Sequence, residues 1–248
     1  MLVKINDRAL YLNGSLRTPG ELVDLSYPNA RDLEVRRLVT PVQKLRKPEW
    51  FPDWSGDICV IVGSGPSASK TPLSIARNKA KFFAVNNSWE LAPWSDCLFG
   101  IDFNWWTHHK GVPDFHGIKI SLRSDDGWDI KDIRMHDHIE KFMFVSPGEI
   151  GWGGNSGFSA INLCLQFGCR NIVLVGFDMR ADESNAYHWH KDHNGGLKNP
   201  DHDCLARWAR KLDGQKPAVD QLGAVICNAS RDSALMAYAK VDFAEFFA

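Results

Sequence analysis

From Asp57 onward the chain alternates short apolar runs with turn residues and helix-length amphipathic stretches, the pattern of a parallel sheet covered by helices. Strands are expected at 58–62, 81–85, 97–100, 119–122, 142–145, 172–175 and 224–227, and helices at 69–78, 156–167, 202–213 and 231–238. The stretch 156–167 sets Phe158, Ile161 and Leu165 on one side and meets Gly168, a helix stop. Before this domain the pattern differs. Two β-like runs, 2–5 and 9–12, are followed by Asn13-Gly14 and Pro19-Gly20, which read as a small hairpin. The segment 29–47 is rich in Arg, Lys and Leu and reads as a helix or extended arm with a solvated basic face, and Pro48, Pro52 and Gly56 then break the pattern. The expected organisation is a hairpin and basic arm over 1–55 and an α/β nucleotide-binding domain over 56–248.

Composition adds limits to this picture. A chain of 248 residues with 44% hydrophobic and 24% charged residues and a net charge of -1 has no global pull toward nucleic acid or acidic lipid. Its longest apolar runs have strand length, far below the roughly 20 residues that span a bilayer. Lys4, Asp7 and Arg8 interrupt the N-terminus where a secretory signal would be continuously apolar, so a cytoplasmic location is expected. The six cysteines are scattered without a C-x-x-C pair, which suits buried free thiols in a reducing compartment. Of the ten tryptophans, Trp89, Trp94, Trp105 and Trp106 fall beside candidate loops, where an indole either stacks on a base or sugar or fills the core.

Candidate chemistry gathers where strands end. The first strand runs into Gly63-Ser64-Gly65-Pro66-Ser67, a glycine loop whose amides and hydroxyls suit a phosphate, although it matches neither a Walker loop nor the full dinucleotide fingerprint. The second strand ends in Asn86 and Asn87, which suit a base, ribose or phosphate, or an Asx turn; Asp102 follows the third. Asn155-Ser156-Gly157 opens a helix, with Ser156 a candidate cap, and Gly176-Phe177-Asp178-Met179-Arg180 follows the strand at 172–175. Arg180 is suited to neutralise a departing phosphate. The densest polar run, His188 to Gly196, offers His188, His190 and His193 as general bases. With Asp192 the same histidines are competent metal ligands, but their spacing matches no closed zinc pattern and no metal is assigned.

The order of these motifs resembles that of the bacterial CMP-sialic-acid-dependent sialyltransferases and of related pterin diphosphokinase-like proteins. The likeness covers roughly 57–240: the Gly-x-Gly-Pro-Ser loop, Asn86, Asn155-Ser156-Gly157, Gly176-Phe177-Asp178, the histidine loop, and Cys227-Asn228-Ala229-Ser230. The resemblance implies a Rossmann-like, mostly parallel sheet with helices on both faces. It further implies an inverting, metal-independent transfer with no required cofactor. The nucleotide-sugar, a CMP-sugar by resemblance, would lie across residues 63–67, Asn86 and Ser156, with Asn228 and Ser230 in the closing motif. A loop histidine would activate a hydroxyl acceptor: a glycan, a metabolite or a modified nucleobase. The family's two phosphate-stabilising tyrosines are replaced by Arg180 and the single nearby Tyr187. Two alternatives stand beside this expectation: an ATP-dependent diphosphokinase with magnesium held by Asp102 and Asp178, and a non-catalytic nucleotide-binding module. Homo-oligomerisation and the role of 1–55 are left open.

Overall fold

The computed structural model describes residues 2–12, 14–24, 33, 36–41, 47–123, 127–144, 146–190 and 199–248. The chain divides into two compact units, Met1–Lys47 with Val145–Pro147, and Pro48–Phe144 with Gly148–Ala248. In the first unit, strand β1 (Leu2–Ile5) is the centre of a small antiparallel sheet. A separate hairpin, β2 (Leu10–Leu12) and β3 (Ser15–Arg17), turns through Gly14 at φ +79°, a backbone that favours glycine. Strands β4 (Leu22–Asp24) and β5 (Val39–Pro41) flank β1, and Val3, Ile5, Val23 and Val39 form the cluster beneath. Of the expected basic arm, 29–32, 34–35 and 42–46 lie outside the described residues, while 39–41 pair as a strand.

The second unit is built on eight strands with every neighbouring pair parallel. Along the chain come β6 (Ile58–Val62), β7 (Lys81–Val85), β8 (Cys97–Phe99), β9 (Ile118–Ser121) and β10 (Ile130–Asp132). A separate parallel pair follows, β11 (Arg134–His136) and β12 (Glu149–Gly151). Then come β13 (Asn171–Val175), β14 (Val225–Asn228) and β15 (Ala239–Lys240), giving the order β10-β9-β8-β7-β6-β13-β14-β15. The helices are α1 (Phe103–His108), α2 (Ser156–Gln166), α3 (His202–Asp213), α4 (Lys216–Gln221) and α5 (Phe243–Phe246). Alternate strand residues bury on opposite faces. Cys59, Ile61, Ile172 and Leu174 pack with α2 residues such as Phe158 and Ile161, whereas Val60, Val62, Val173 and Val175 pack with Leu73, Ala76 and Phe243. The fold is therefore the expected Rossmann-like α/β arrangement, preceded by a short antiparallel hairpin. No helix among the described residues is long and apolar enough to cross a membrane.

Three expected elements take other forms. Residues 142–144 are not a strand: α2 reaches across to Met143, whose amide donates to Asn162 Oδ1 and whose carbonyl accepts from Asn162 and Gln166. The amide of Phe142 donates to Gln215 Oε1, so side chains do what a neighbouring strand would have done. The expected helix at 69–78 is two 3-10 turns, Ala68–Lys70 and Leu73–Ala76, because Pro72 holds Thr71 extended and removes an amide donor. The expected helix at 231–238 is irregular. Ser233 bonds the Phe177 carbonyl, and Asp213 accepts from the amides of Met236 and Ala237. By contrast α2 stops as expected: Gly168, at φ +96°, donates to Leu165 O and Cys169 donates to Cys164 O, a Schellman closure.

Candidate functional site

Strand order reverses between β6 and β13, so the loops that follow these two neighbours open a crevice at the C-terminal edge of the sheet. The two loops are zipped together. Gly63 N donates to Val175 O at 2.7 Å and Gly65 N to Gly176 O at 2.9 Å. A Cβ on Gly65 would stand 2.6 Å from the Gly176 carbonyl oxygen and 2.1 Å from Asp178 Oδ2. These glycines therefore serve loop-to-loop packing, and the amides of Gly63 and Gly65, expected to hold an anion, are already committed. The expected helix start after the loop is also replaced by a 3-10 turn, too short to offer a helix dipole.

The far end of the seam is closed by side chains. Ser67 donates to Asp178 Oδ2 through both its amide, at 3.3 Å, and its hydroxyl, at 2.9 Å, and its Oγ lies 2.9 Å from Ser230 Oγ. Ser230 Oγ accepts from Phe177 N, and Asn228 Oδ1 accepts from Ser230 N. Asn228 and Ser230, expected at the ligand, are fully buried and instead hold the Phe177–Asp178 loop in place. Burial raises the Asp178 carboxyl above its ordinary value, against the opposing pull of the Ser67 hydrogen bonds.

Beside the seam lies a cavity of about 320 Å³. Its polar wall is Gly63–Gly65, Asn86 and residues 154–157. Asn155, not Ser156, caps α2: its Oδ1 accepts from Phe158 N at 3.0 Å, which turns Nδ2 the other way. Ser64 Oγ, Asn86 Oδ1 and Asn155 Nδ2 are buried without a hydrogen-bond partner among the described residues. Each such atom costs about 1–3 kcal/mol; all three belong to residues that line the cavity, although the atoms themselves are closed off from it. Val85, Ile101, Trp152, Phe177, Met179, Pro200, Leu205 and Trp208 add apolar lining. Asp102, Arg180, Tyr187 and His188 line the cavity as well, with Gly176. The strap carrying the histidines rests on the glycine loop, with Trp189 N donating to Ser64 O at 3.1 Å. His190 stacks on His188 with ring centroids 5.1 Å apart and does not line the cavity. His193 lies outside the described residues.

Other expected contacts are used elsewhere. Asn87 accepts from Trp105 Nε1 at 2.7 Å. Trp105 and Trp106 are buried core residues, and Trp94 packs on Phe82 beneath Arg77, so the indoles expected to stack on a ligand do not line this cavity. Trp152 and Trp208 do, and the sequence reading missed them. Their signal was the Leu205–Trp208 spacing on one face of α3 and the glycine run: Gly154, at φ +94°, would place a Cβ 2.6 Å from Trp208 Nε1. Pro66, Ser67 and Asp178 line a second cavity, of about 790 Å³, and Arg180 lines both. Asp102 and Asp178 thus stand at different cavities, and among the described residues no group of three His, Cys, Asp or Glu is placed to hold a metal ion.

Fold and site together define an α/β protein with a cleft at a topological switch point. No protein-family profile and no curated protein sequence matches the chain. Among solved structures it is similar to the sialyltransferase CstII from Campylobacter jejuni in complex with cytidine-5'-monophosphate, at a TM-score of 0.47 and 10% identity over 75% of this chain and 85% of that one. It is also similar to the same sialyltransferase in complex with CMP-3FNeuAc, at a TM-score of 0.40 and 12% identity over 75% of this chain and 86% of that one.

Proposed function

We propose that the chain is a glycosyltransferase that moves a sugar from a nucleotide-activated donor to a hydroxyl acceptor. The observation that carries this reading is the convergence of Ser64, Asn86, Asn155, Arg180, Tyr187 and His188 on one cavity of about 320 Å³. Clefts that hold small molecules begin at roughly this size, about 300–1,000 Å³. The side chains of Ser64, Asn86 and Asn155 are a hydroxyl and two amides, the kinds of group that a ribose and a phosphate require. Trp152 and Trp208 offer apolar faces for a base or a sugar ring.

In this reading the acceptor oxygen bonds the anomeric carbon of the donor as that carbon's bond to the phosphate oxygen breaks, the electron pair leaving on the nucleotide. Arg180 offsets the negative charge gained there, and Tyr187 is at hand as a hydroxyl donor. His188 takes the acceptor proton, because an imidazole changes charge near neutral pH. The motif order favours a CMP-sugar as donor, and the residues assigned need no metal.

The test is thermal stabilisation by CMP, UDP, GDP and ADP compounds. A ligand at 100 times its dissociation constant adds about 2.7 kcal/mol. Asn155→Ala is expected to remove about 1 kcal/mol of helix capping and to weaken the binding nucleotide about tenfold through loss of its hydrogen bond. No shift with any of the four series overturns the proposal. Stabilisation by adenine nucleotides alone, with magnesium-dependent turnover, favours pyrophosphoryl transfer instead.

A further inference from the structure

The hairpin of the first unit turns an apolar pair outward. Leu10 and Leu12 pack on the cluster of Val3, Ile5, Val23 and Val39, so alternation along the strand sends Tyr11 to the other face. Leu16 stands directly opposite Tyr11 in the antiparallel register; Tyr11 is 74% exposed and Leu16 65%. Ala9 and Thr18, two residues further along the chain from them, are also exposed and carry no charge. Tyr11 Oη donates to Gly14 O at 3.0 Å, so the ring can leave water without stripping its hydroxyl of a partner. The charge around this pair is mostly positive. Residues 1–47 carry nine Lys and Arg against five Asp and Glu, whereas the rest of the chain is net acidic. Asn6 donates through Nδ2 to Arg37 O at 2.9 Å and through its amide to Leu38 O at 3.0 Å, which sets Arg36 and Arg37 beside the segment leading into β2. That segment carries Arg8, and all three arginines are exposed. Asp7 is the exposed acid next to them, and Arg17 is paired with Glu21 at 2.8 Å.

We infer that this hairpin docks on an anionic lipid bilayer, with Tyr11 and Leu16 entering the boundary between headgroups and acyl chains while Arg8 and Arg37 meet the headgroup phosphates and carboxylates. An apolar pair and a few cations are each a weak anchor, and together they supply the two signals that peripheral attachment needs. Nucleic acid would use the cations, but its phosphodiester backbone gives Leu16 no apolar partner. A second copy of the chain is disfavoured, because a two-fold contact would set this positive unit against itself. The inference concerns the first unit and stands whether or not the second transfers a sugar.

Flotation of the whole chain with lipid vesicles tests it. Vesicles of phosphatidylcholine mixed with phosphatidylserine are expected to carry the protein, and vesicles of phosphatidylcholine alone to leave it behind. Added salt should release it, because attraction to the headgroups is screened. Leu16→Ser is expected to weaken the partition coefficient about tenfold, the loss of one apolar side chain from the bilayer. Arg8→Gln should weaken it about fivefold, the loss of one cation at the surface. Leu16→Phe keeps the apolar surface and should bind as wild type does. A thermal scan of each variant checks that it folds; should Leu16→Ser lower the midpoint, Arg8→Gln and Leu16→Phe still carry the test. Equal flotation with the two vesicle types, flotation with neither, or wild-type partition in both Leu16→Ser and Arg8→Gln overturns the inference. Retention of a short DNA duplex without vesicle binding assigns the surface to nucleic acid and overturns it too. So does a dimer that Leu16→Ser dissociates in the absence of any vesicle binding, which assigns the surface to a second copy.

Discussion

Adding a single methyl group at Gly65 tests the seam that separates the two cavities. Its Cβ would stand 2.6 Å from the Gly176 carbonyl oxygen and 2.1 Å from Asp178 Oδ2, where ordinary contact begins at 3.4 Å. Neither partner is free to yield. One is the backbone beyond a central strand, and the second, Asp178 Oδ2, accepts from both the amide and the hydroxyl of Ser67. Relief therefore requires the two loops to part. Parting sacrifices the Gly65–Gly176 hydrogen bond, about 1 kcal/mol, and loosens the charge-assisted Ser67–Asp178 pair, about 1.5–3 kcal/mol. Overpacking itself costs about 1–3 kcal/mol. These losses come from one displacement and do not add, so Gly65→Ala is expected to destabilise by about 3 kcal/mol. In a chain of this size each kcal/mol lowers Tm by about 2–4 °C, giving a fall of about 6–12 °C. Urea unfolding followed by circular dichroism measures the first quantity, and a thermal scan the second. In an Asp178→Ala background the same methyl should cost less, because the nearer of its two clashes is gone. A Gly65→Ala midpoint within about 0.5 kcal/mol of wild type refutes the reasoning.

Two further predictions concern titration and thiol chemistry. The folded-state pKa of Asp178 is raised by burial, so its protonated form is favoured in the folded chain; the associated stability is present below the ordinary carboxylate value of 3.8 and is lost as pH rises through the raised one. Asp178→Asn cannot titrate, so urea midpoints should show wild type gaining on the variant as pH falls from neutral toward that range, and a pH-independent difference would show that the carboxyl is not perturbed. All six cysteines carry free thiols, but Cys59, Cys97, Cys164 and Cys169 are buried, and burial pushes Cys59 up to about 11. Mass spectrometry after iodoacetamide treatment at mildly alkaline pH should find only Cys204 and Cys227 modified in the folded chain and all six in urea; rapid modification of Cys59 without urea would contradict the packing of β6 against α2.

The central strands were legible because a parallel sheet buried on both faces leaves uninterrupted apolar runs, as at Ile58–Val62 and Asn171–Val175. The edge strands were not: Ile130–Asp132 and Ala239–Lys240 have three and two residues, too short for any period to appear. Residues 142–144 misled because they are apolar enough for a strand, while the partners of Phe142 and Met143 are the distant amides of Asn162 and Gln215. The glycine motif was found for a reason only partly its own. Glycine was read as room for a ligand, yet Gly63, Gly65, Gly153 and Gly154 make room for Gly176, Phe158 and Trp208. Asn86, Asn155 and Arg180 could be read as site candidates because each is polar and follows an apolar strand or opens a helix, and His188 because it begins the densest polar run of the chain. Trp152 and Trp208 carried a weaker signal, the glycine run and the Leu205–Trp208 spacing, and the fold brings both to one cavity.

The seam also bears on the order in which the chain can assemble. Ser67 and Asp178, which meet across it, are 111 residues apart in sequence. Strands β6 to β10 can pair with their neighbours as they leave the ribosome, each close in sequence to the last. The other edge of β6 has to wait for β13. Throughout that interval Val60 and Val62 belong to an open strand edge, the kind of surface that pairs with other chains. The bond between two residues of the second cavity is thus a late, long-range contact, and folding should be slowest and most exposed to misassembly at the strand pair where the crevice opens.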